Sequence, residues 1–187
     1  MRLFPLVDRD RSMMLFVDGE NLAIRYGALL ASRGGTPASH VTHRPDTFVW
    51  STGINNACAH RHVIRKHYYT AIQGDVPAVE ALHDEIAAAG IEAPRVFRKT
   101  KTRGSKRVDV SLTTEMLSHA ARRNYETAVL VAGDEDYVPL VTAVQGEGRR
   151  VVLWFLPDGL SPALRRAADH FVDIDDVLFS PELKTWL

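Results

Sequence analysis

Three aspartates in two short turns are the residues of this chain best suited to chemistry. Asp18 closes the apolar run Met13-Met14-Leu15-Phe16-Val17 and opens the turn Gly19-Glu20-Asn21. Asp134 and Asp136 follow a second apolar run, Ala128-Val129-Leu130-Val131-Ala132, and its Gly133. Short continuous apolar runs closed by a glycine turn read as strands buried on both faces, as in a parallel sheet. In open α/β sheets the ligand crevice lies beyond the carboxyl ends of the strands. Neighbouring strands lie about 4.8 Å apart, so carboxylates ending two of them can share one hard cation. Mg²⁺ and Mn²⁺ both accept such oxygen ligands. Asp136, at the start of the following helix, is in a position to ligate the ion directly or to hold a water on it. One such aspartate alone is best read as a helix N-cap. The set is better read as a metal-dependent active site.

Asp109 adds a third element, in Lys106-Arg107-Val108-Asp109-Val110. A carboxylate in a first helical turn is favoured by the macrodipole whatever its function. Its flanks Val108, Val110 and Leu112 are apolar, however, and predict that this turn is drawn into the protein. A half-buried acid beside a basic loop is better explained by an ion than by solvation. Glu115 lies six residues on, about 9 Å along the axis and on another helical face, and ranks below Asp109. Asn21 is suited to orienting a water or a phosphate, or to capping the first helix. Glu20 either points outward or supports the turn.

A basic segment supplies the complementary charge. Between Arg95 and Arg107 stand seven Lys or Arg and no acid. Arg98, Lys99, Lys101, Arg103, Lys106 and Arg107 are the candidate contacts to a polyanion, because such residues bind phosphates without reading sequence. A charge run is more often a solvated loop. This one adjoins Asp109 and follows Phe97, and Tyr68 and Tyr69 are candidate stacking partners for bases.

Whole-chain numbers bound these readings. The 187 residues suit one domain with a substantial core, and 45% hydrophobic with 25% charged residues is ordinary for a soluble globular protein. Lys plus Arg and Asp plus Glu are both 23, so the net charge of zero conceals segregation rather than uniformity. A single cysteine, Cys58, excludes an internal disulfide framework and fits a reducing compartment. The longest apolar stretch, Val151 to Leu156, is far short of the roughly 20 residues of a membrane helix, and the first residues lack a secretory core. The expectation is cytoplasmic, with no membrane partner. His40, His43, His60, His62 and His67 fall near Cys58, but no zinc spacing is present, and nothing near Cys58 lowers its pKa. Neither Gly-x-Gly-x-x-Gly nor Gly-x-x-x-x-Gly-Lys occurs, which argues against dinucleotide and P-loop enzymes.

The elements that must position these residues alternate. Strands are expected at Met13–Asp18, His62–Ile72, Glu92–Arg98, Ala128–Ala132 and Arg150–Leu156, with a short last one at Phe171–Ile174. Helices are expected over Asn21–Ser32, from Gly74-Asp75-Val76-Pro77 to Gly90, over Val108–Arg123 and Val138–Glu147, and after the Ser161-Pro162 start. Ser32–Asp46 reads as a loop, Thr47–Ala59 as a helix, and Thr100–Arg107 as a polar basic loop. Strands separated by helices imply a sheet covered on both faces. A domain over 13–178 is expected, with an N-terminal extension (1–12) and a C-terminal tail (179–187).

Three stretches taken together carry a family resemblance. Phe16-Val17-Asp18-Gly19-Glu20-Asn21-Leu22, Lys106-Arg107-Val108-Asp109-Val110 and Val129-Leu130-Val131-Ala132-Gly133-Asp134-Glu135-Asp136-Tyr137-Val138-Pro139-Leu140 resemble, in order and spacing, the NYN domain family. That family is a branch of the PIN-like nucleases that includes the LabA-like bacterial proteins. The resemblance runs from about residue 13 to residue 176. Gly148-Arg149-Arg150-Val151-Val152 and Ala167-Ala168-Asp169-His170-Phe171 look like its closing strand and helix. It implies a three-layer α/β sandwich around a mainly parallel sheet. It also implies Mg²⁺- or Mn²⁺-dependent RNA cleavage with Asp18, Asp109, Asp134 and Asp136 as ligands. The chain departs from the family pattern at Glu115, where aspartate is common, and at Ala132 and Glu135, where serines are common. The stretch Arg33–His62 has no counterpart in that pattern and is a candidate for governing substrate access or homodimerisation.

The leading expectation is therefore a metal-dependent ribonuclease in which Asp18, Asp109, Asp134, Asp136 and Asn21 form the catalytic set. The alternative is a catalytically silent RNA- or protein-binding module with a PIN-like fold. A small-substrate phosphatase is a third reading. It lacks the Asp-x-Asp of aspartyl-phosphate enzymes, since Glu20 stands two residues after Asp18.

Overall fold

The computed structural model describes residues 12–99 and 106–183. Eight strands and seven α-helices alternate through the described residues. They are β1 (Met13–Asp18), α1 (Gly19–Ser32), β2 (Val41–Arg44), β3 (Phe48–Ser51), α2 (Thr52–Ala59), β4 (Val63–Ile72), α3 (Val76–Ala88) and β5 (Ala93–Arg98). The second half adds α4 (Lys106–Ala121), β6 (Thr127–Val131), α5 (Val138–Gly146), β7 (Arg150–Phe155), α6 (Pro162–Ala167), β8 (His170–Asp173) and α7 (Asp175–Phe179). No helix among the described residues is long and apolar enough to cross a membrane.

Six strands form one parallel sheet in the order β5-β4-β1-β6-β7-β8. The side-chain period of two then sorts the strand residues between two cores. Met13, Leu15 and Val17 join Leu22, Tyr26 and Leu29 of α1, Leu82 and Ile86 of α3, and the β2–β3 hairpin. Met14 and Phe16 join Val108, Leu112, Met116 and Ala120 of α4, Leu140, Val141 and Val144 of α5, and Leu164 of α6. Helices thus cover both faces, giving the three-layer α/β sandwich. At about 25 cal/mol per Å² of buried apolar surface, two such cores are the main source of stability.

The chain builds outward from β1 through β4 to β5, then returns through α4 to β6 on the other side of β1. The point between β1 and β6 is therefore where strand order reverses, the place at which open α/β sheets bind ligands. Asp18 and Asp134 both stand there.

Two expectations are corrected in the segment before β4. The expected loop over Ser32–Asp46 contains β2, and the expected helix over Thr47–Ala59 begins with β3 and becomes helical only at Thr52. β2 and β3 pair antiparallel from Val41↔Ser51 to Arg44↔Phe48. The turn between them is closed by the Thr47 amide on the Arg44 carbonyl at 3.2 Å, with Asp46 at φ 53°. Aspartate tolerates that left-handed conformation better than most residues, so the Pro45-Asp46 pair makes a hairpin rather than an open loop. Phe48, Val49 and Trp50 are buried, and the hairpin caps the α1 core. A smaller correction concerns α4, which starts at Lys106 rather than Val108.

Candidate active site at the strand switch point

Each carboxylate is placed by the element that ends or begins beside it. Asp18 continues the Met14, Phe16 parity of β1 and so faces the α4 side of the sheet. It also caps α1, its Oδ1 accepting from the Asn21 amide at 3.0 Å. Asp134 follows β6 and caps a single 3₁₀ turn (Glu135–Tyr137), accepting from the Asp136 amide at 3.2 Å. The capping role and the site role are thus combined in the same residues. Asp109 lies in the first turn of α4.

The two turns are tied together. Gly133 donates its amide to Asn21 Oδ1 at 2.9 Å, so Asn21 spans from the β1 turn to the β6 turn. Both turn glycines are required by close packing. A Cβ on Gly19 would overlap the Tyr68 ring, and one on Gly133 would overlap Phe155.

Tyr137 is a site residue that the motif reading did not single out. Its hydroxyl lies 2.8 Å from Asp18 Oδ2 and 3.2 Å from Asp109 Oδ1. A hydroxyl carries one proton, so when both carboxyls are ionised it can donate to only one of them. The other contact is then oxygen against oxygen, and a cation or a proton held among these groups relieves it. Burial pushes the Asp18 carboxyl up to about 6 from 3.8, against the lowering effect of its bonds from Asn21 and Tyr137. The charges of Asp109 and Glu20 add to that rise. Asp109 is likewise raised, first by burial and then by Asp134, Glu20 and Asp136, while Tyr137 lowers it. Burial together with the charges of Asp18 and Asp109 keeps the Tyr137 hydroxyl protonated. Among the described residues no salt bridge neutralises Asp18, Asp109, Asp134 or Asp136.

Glu20 is turned inward rather than outward. It is buried, and its Oε1 pairs with Lys99 Nζ from the end of β5. Lys99, expected to contact substrate, is thus engaged by an acid of the site. Arg98 and Arg107 are exposed, and the Arg107 guanidinium lies 5.3 Å from the centroid of the Phe97 ring. Lys101 and Arg103 lie outside the described residues, as does the side chain of Lys106.

Two further expectations fail on burial. Tyr68 and Tyr69 have no exposed surface and cannot stack on bases. Tyr68 instead donates its hydroxyl to the Val49 carbonyl at 3.3 Å, and Tyr69 to Glu115 at 2.9 Å. Val110, expected inward with Asp109, is 64% exposed, so Val108 and Leu112 alone anchor that turn. Glu115 is held away from the aspartates by Arg95 Nε at 2.9 Å, Tyr69 and His67. Cys58 is buried, which pushes its thiol up to about 11, against the pull of Lys66 and Arg61.

The donors around the crevice are carboxylate and hydroxyl oxygens, the chemistry a hard divalent cation takes. Glu20 Oε2 is buried without a hydrogen-bond partner among the described residues. The residues therefore fit such an ion by type. Among the described residues, no three His, Cys, Asp or Glu side chains stand close enough to hold one as they are placed.

A six-stranded parallel sheet covered by helices on both faces is the architecture of a PIN-like α/β sandwich. The chain belongs to the NYN domain family, whose model matches residues 12–175. No curated protein matches it. Among solved structures, it is similar to a protein of unknown function from Vibrio parahaemolyticus, with 22% identity and a TM-score of 0.64, covering 93% of this chain and 99% of that one. That likeness bears on the fold alone.

Proposed function

We propose that this protein is a divalent-metal-dependent ribonuclease, hydrolysing RNA phosphodiester bonds at the crevice between β1 and β6. The observation that carries this reading is the pair Asp18 and Asp109, brought to one hydroxyl by different elements and without a basic partner among the described residues. Buried like charges without a counter-ion are costly, and an ion among them offsets that cost. Asp18, Asp109, Asp134 and Asp136 would hold Mg²⁺ or Mn²⁺, which when bound activates water and neutralises charge on the scissile phosphate. Asn21 fixes the distance between the two acid-bearing turns. Arg98 and Arg107, with Lys101, Arg103 and Lys106 between them, draw the RNA backbone towards the crevice through phosphate contacts.

The catalytically silent RNA- or protein-binding module is the second reading, and one observation favours it. Asp18 and Asp109 already share a tyrosine hydroxyl, and among the described residues no three acids stand close enough to hold an ion. The test is cleavage of a panel of RNAs with Mg²⁺ or Mn²⁺ by the wild type and by Asp134→Asn. Metal-dependent cleavage lost in the variant, with the thermal melt nearly unchanged, supports the nuclease. Equal cleavage by both proteins removes Asp134 from the reaction, and Mn²⁺ binding without cleavage of any RNA favours the module.

A further inference from the structure

Arg25 is a basic residue that no motif singled out. It lies on α1, across the sheet from α4, and its guanidinium is seated against the loop that follows β7. Gly159 makes the seat. A Cβ there would overlap the guanidinium, and its φ of 82° is one that glycine adopts without strain. The same loop closes on the turn that carries Asp134. The Ser161 amide donates to the Gly133 carbonyl at 2.8 Å, and the Gly159 carbonyl lies 2.9 Å from where a Gly133 Cβ would stand. Arg25 is thus placed at the opening by its contact with backbone rather than by an acid. Its Nη1 stands 3.9 Å from Asp158 Oδ1, beyond hydrogen-bond reach, and the two side chains are 37% and 62% exposed. Pairs of that kind contribute little.

We propose that Arg25 is a further phosphate-contacting residue, binding the backbone of RNA on the side of the switch point away from Arg98 and Arg107. This rests on the RNA reading above but not on a bound metal. Arg98 ends β5, which is two strands to one side of β1. Arg25 meets the loop after β7, which is two strands to the other side. With strands about 4.8 Å apart, roughly 19 Å separates those two strand ends, and the opening between β1 and β6 lies between them. A strand of RNA laid across the opening would meet one cation before it and another beyond it. The guanidinium suits this role because its planar fork takes two phosphate oxygens at once. Asp158 is too distant to occupy those donors.

The test is fluorescence anisotropy of a labelled oligouridine RNA with the full chain in EDTA, over a series of salt concentrations. Wild type, Arg25→Gln and Arg107→Gln are compared, with thermal melts of each. Arg25→Gln is expected to bind about 10-fold more weakly at low salt, as for the loss of one charged hydrogen-bonded contact. The slope of log affinity against log salt should also become shallower by about 0.7, the share of one phosphate on a single strand. A lower melt with unchanged affinity and slope would make Arg25 a clamp on the β7–α6 loop and overturn the proposal. Unchanged affinity in Arg25→Gln beside weakened affinity in Arg107→Gln would confine the RNA to the β5–α4 side, overturning the role of Arg25 and leaving the RNA reading standing. No RNA binding by the wild type would overturn the RNA reading itself, and the role of Arg25 with it. If Arg25→Gln does not fold, phenylglyoxal labelling of the wild type decides. Slower modification of Arg25 with the RNA bound supports the contact, and an unchanged rate overturns it.

Discussion

Asp18 carries a cost that the fold tolerates. Its carboxyl has an ordinary value of 3.8 and a folded value of about 6, burial being the main cause. The folded chain therefore holds a proton between about pH 4 and pH 6 that the unfolded chain has released. Stability conferred by that proton is complete below pH 4 and is lost as the pH rises through 6. At about 1.36 kcal/mol per pH unit, the ionised form costs on the order of 3 kcal/mol at neutral pH. Asp18 is almost fully buried, so solvent does little to reduce this. Asparagine keeps the N-cap and carries no charge. Asp18→Asn is accordingly expected to stabilise the metal-free protein by roughly 1 to 3 kcal/mol at pH 7.5 and by little at pH 4, read by urea denaturation in EDTA. A variant destabilised at pH 7.5 would show that the ionised carboxylate is already compensated. The positions of Asp18 and Asp134 were legible from the sequence because each follows an apolar run whose period of two fixes the face it meets. Tyr137 was less so. It ends the second turn in plain view, yet its contact is with a residue 119 positions earlier, and no local pattern encodes that.

At the scale of elements, the strongest periodic segments read correctly. Leu112, Met116 and Ala120 repeat along one side of α4, and all are fully buried. The β2–β3 hairpin did not, because four-residue strands carry too few residues to show a period and Pro45-Asp46 reads equally as loop chemistry. Its burial comes from α1 and α7 beside it, tertiary partners that a local reading does not contain. The turns behind the aspartates are tighter than their composition conveys. A methyl on Gly133 would meet the Phe155 ring and the Gly159 carbonyl. Gly133→Ala should therefore destabilise the protein by about 1 to 3 kcal/mol, the usual cost of overpacking. It should also pull Asp134 away from its place after β6. A urea midpoint equal to wild type would show that the turn has slack that the packing does not reveal.

At the scale of the molecule, one feature of topology creates the crevice. The chain lays down half of its parallel sheet, crosses over through α4, and lays down the rest on the other side of β1. That crossover brings Asp109 of α4 to the Tyr137 hydroxyl, which also meets Asp18 at the end of β1. Alternating strands and helices made the α/β class readable in the sequence, and the three motifs made the NYN family readable. Strand order was not, because every order compatible with short crossovers shares the same alternation. The formal charge of zero hides a division of labour, with acids at the switch point and bases along β5 and the start of α4. The central claim is that this opening is a cation site. Anomalous diffraction from crystals soaked in MnCl₂ tests it most directly. A manganese peak within ligand distance of Asp18, Asp109 and Asp134 is the predicted result. At saturating Mn²⁺, an ordered crevice without a peak, with Tyr137 still between Asp18 and Asp109, would contradict it.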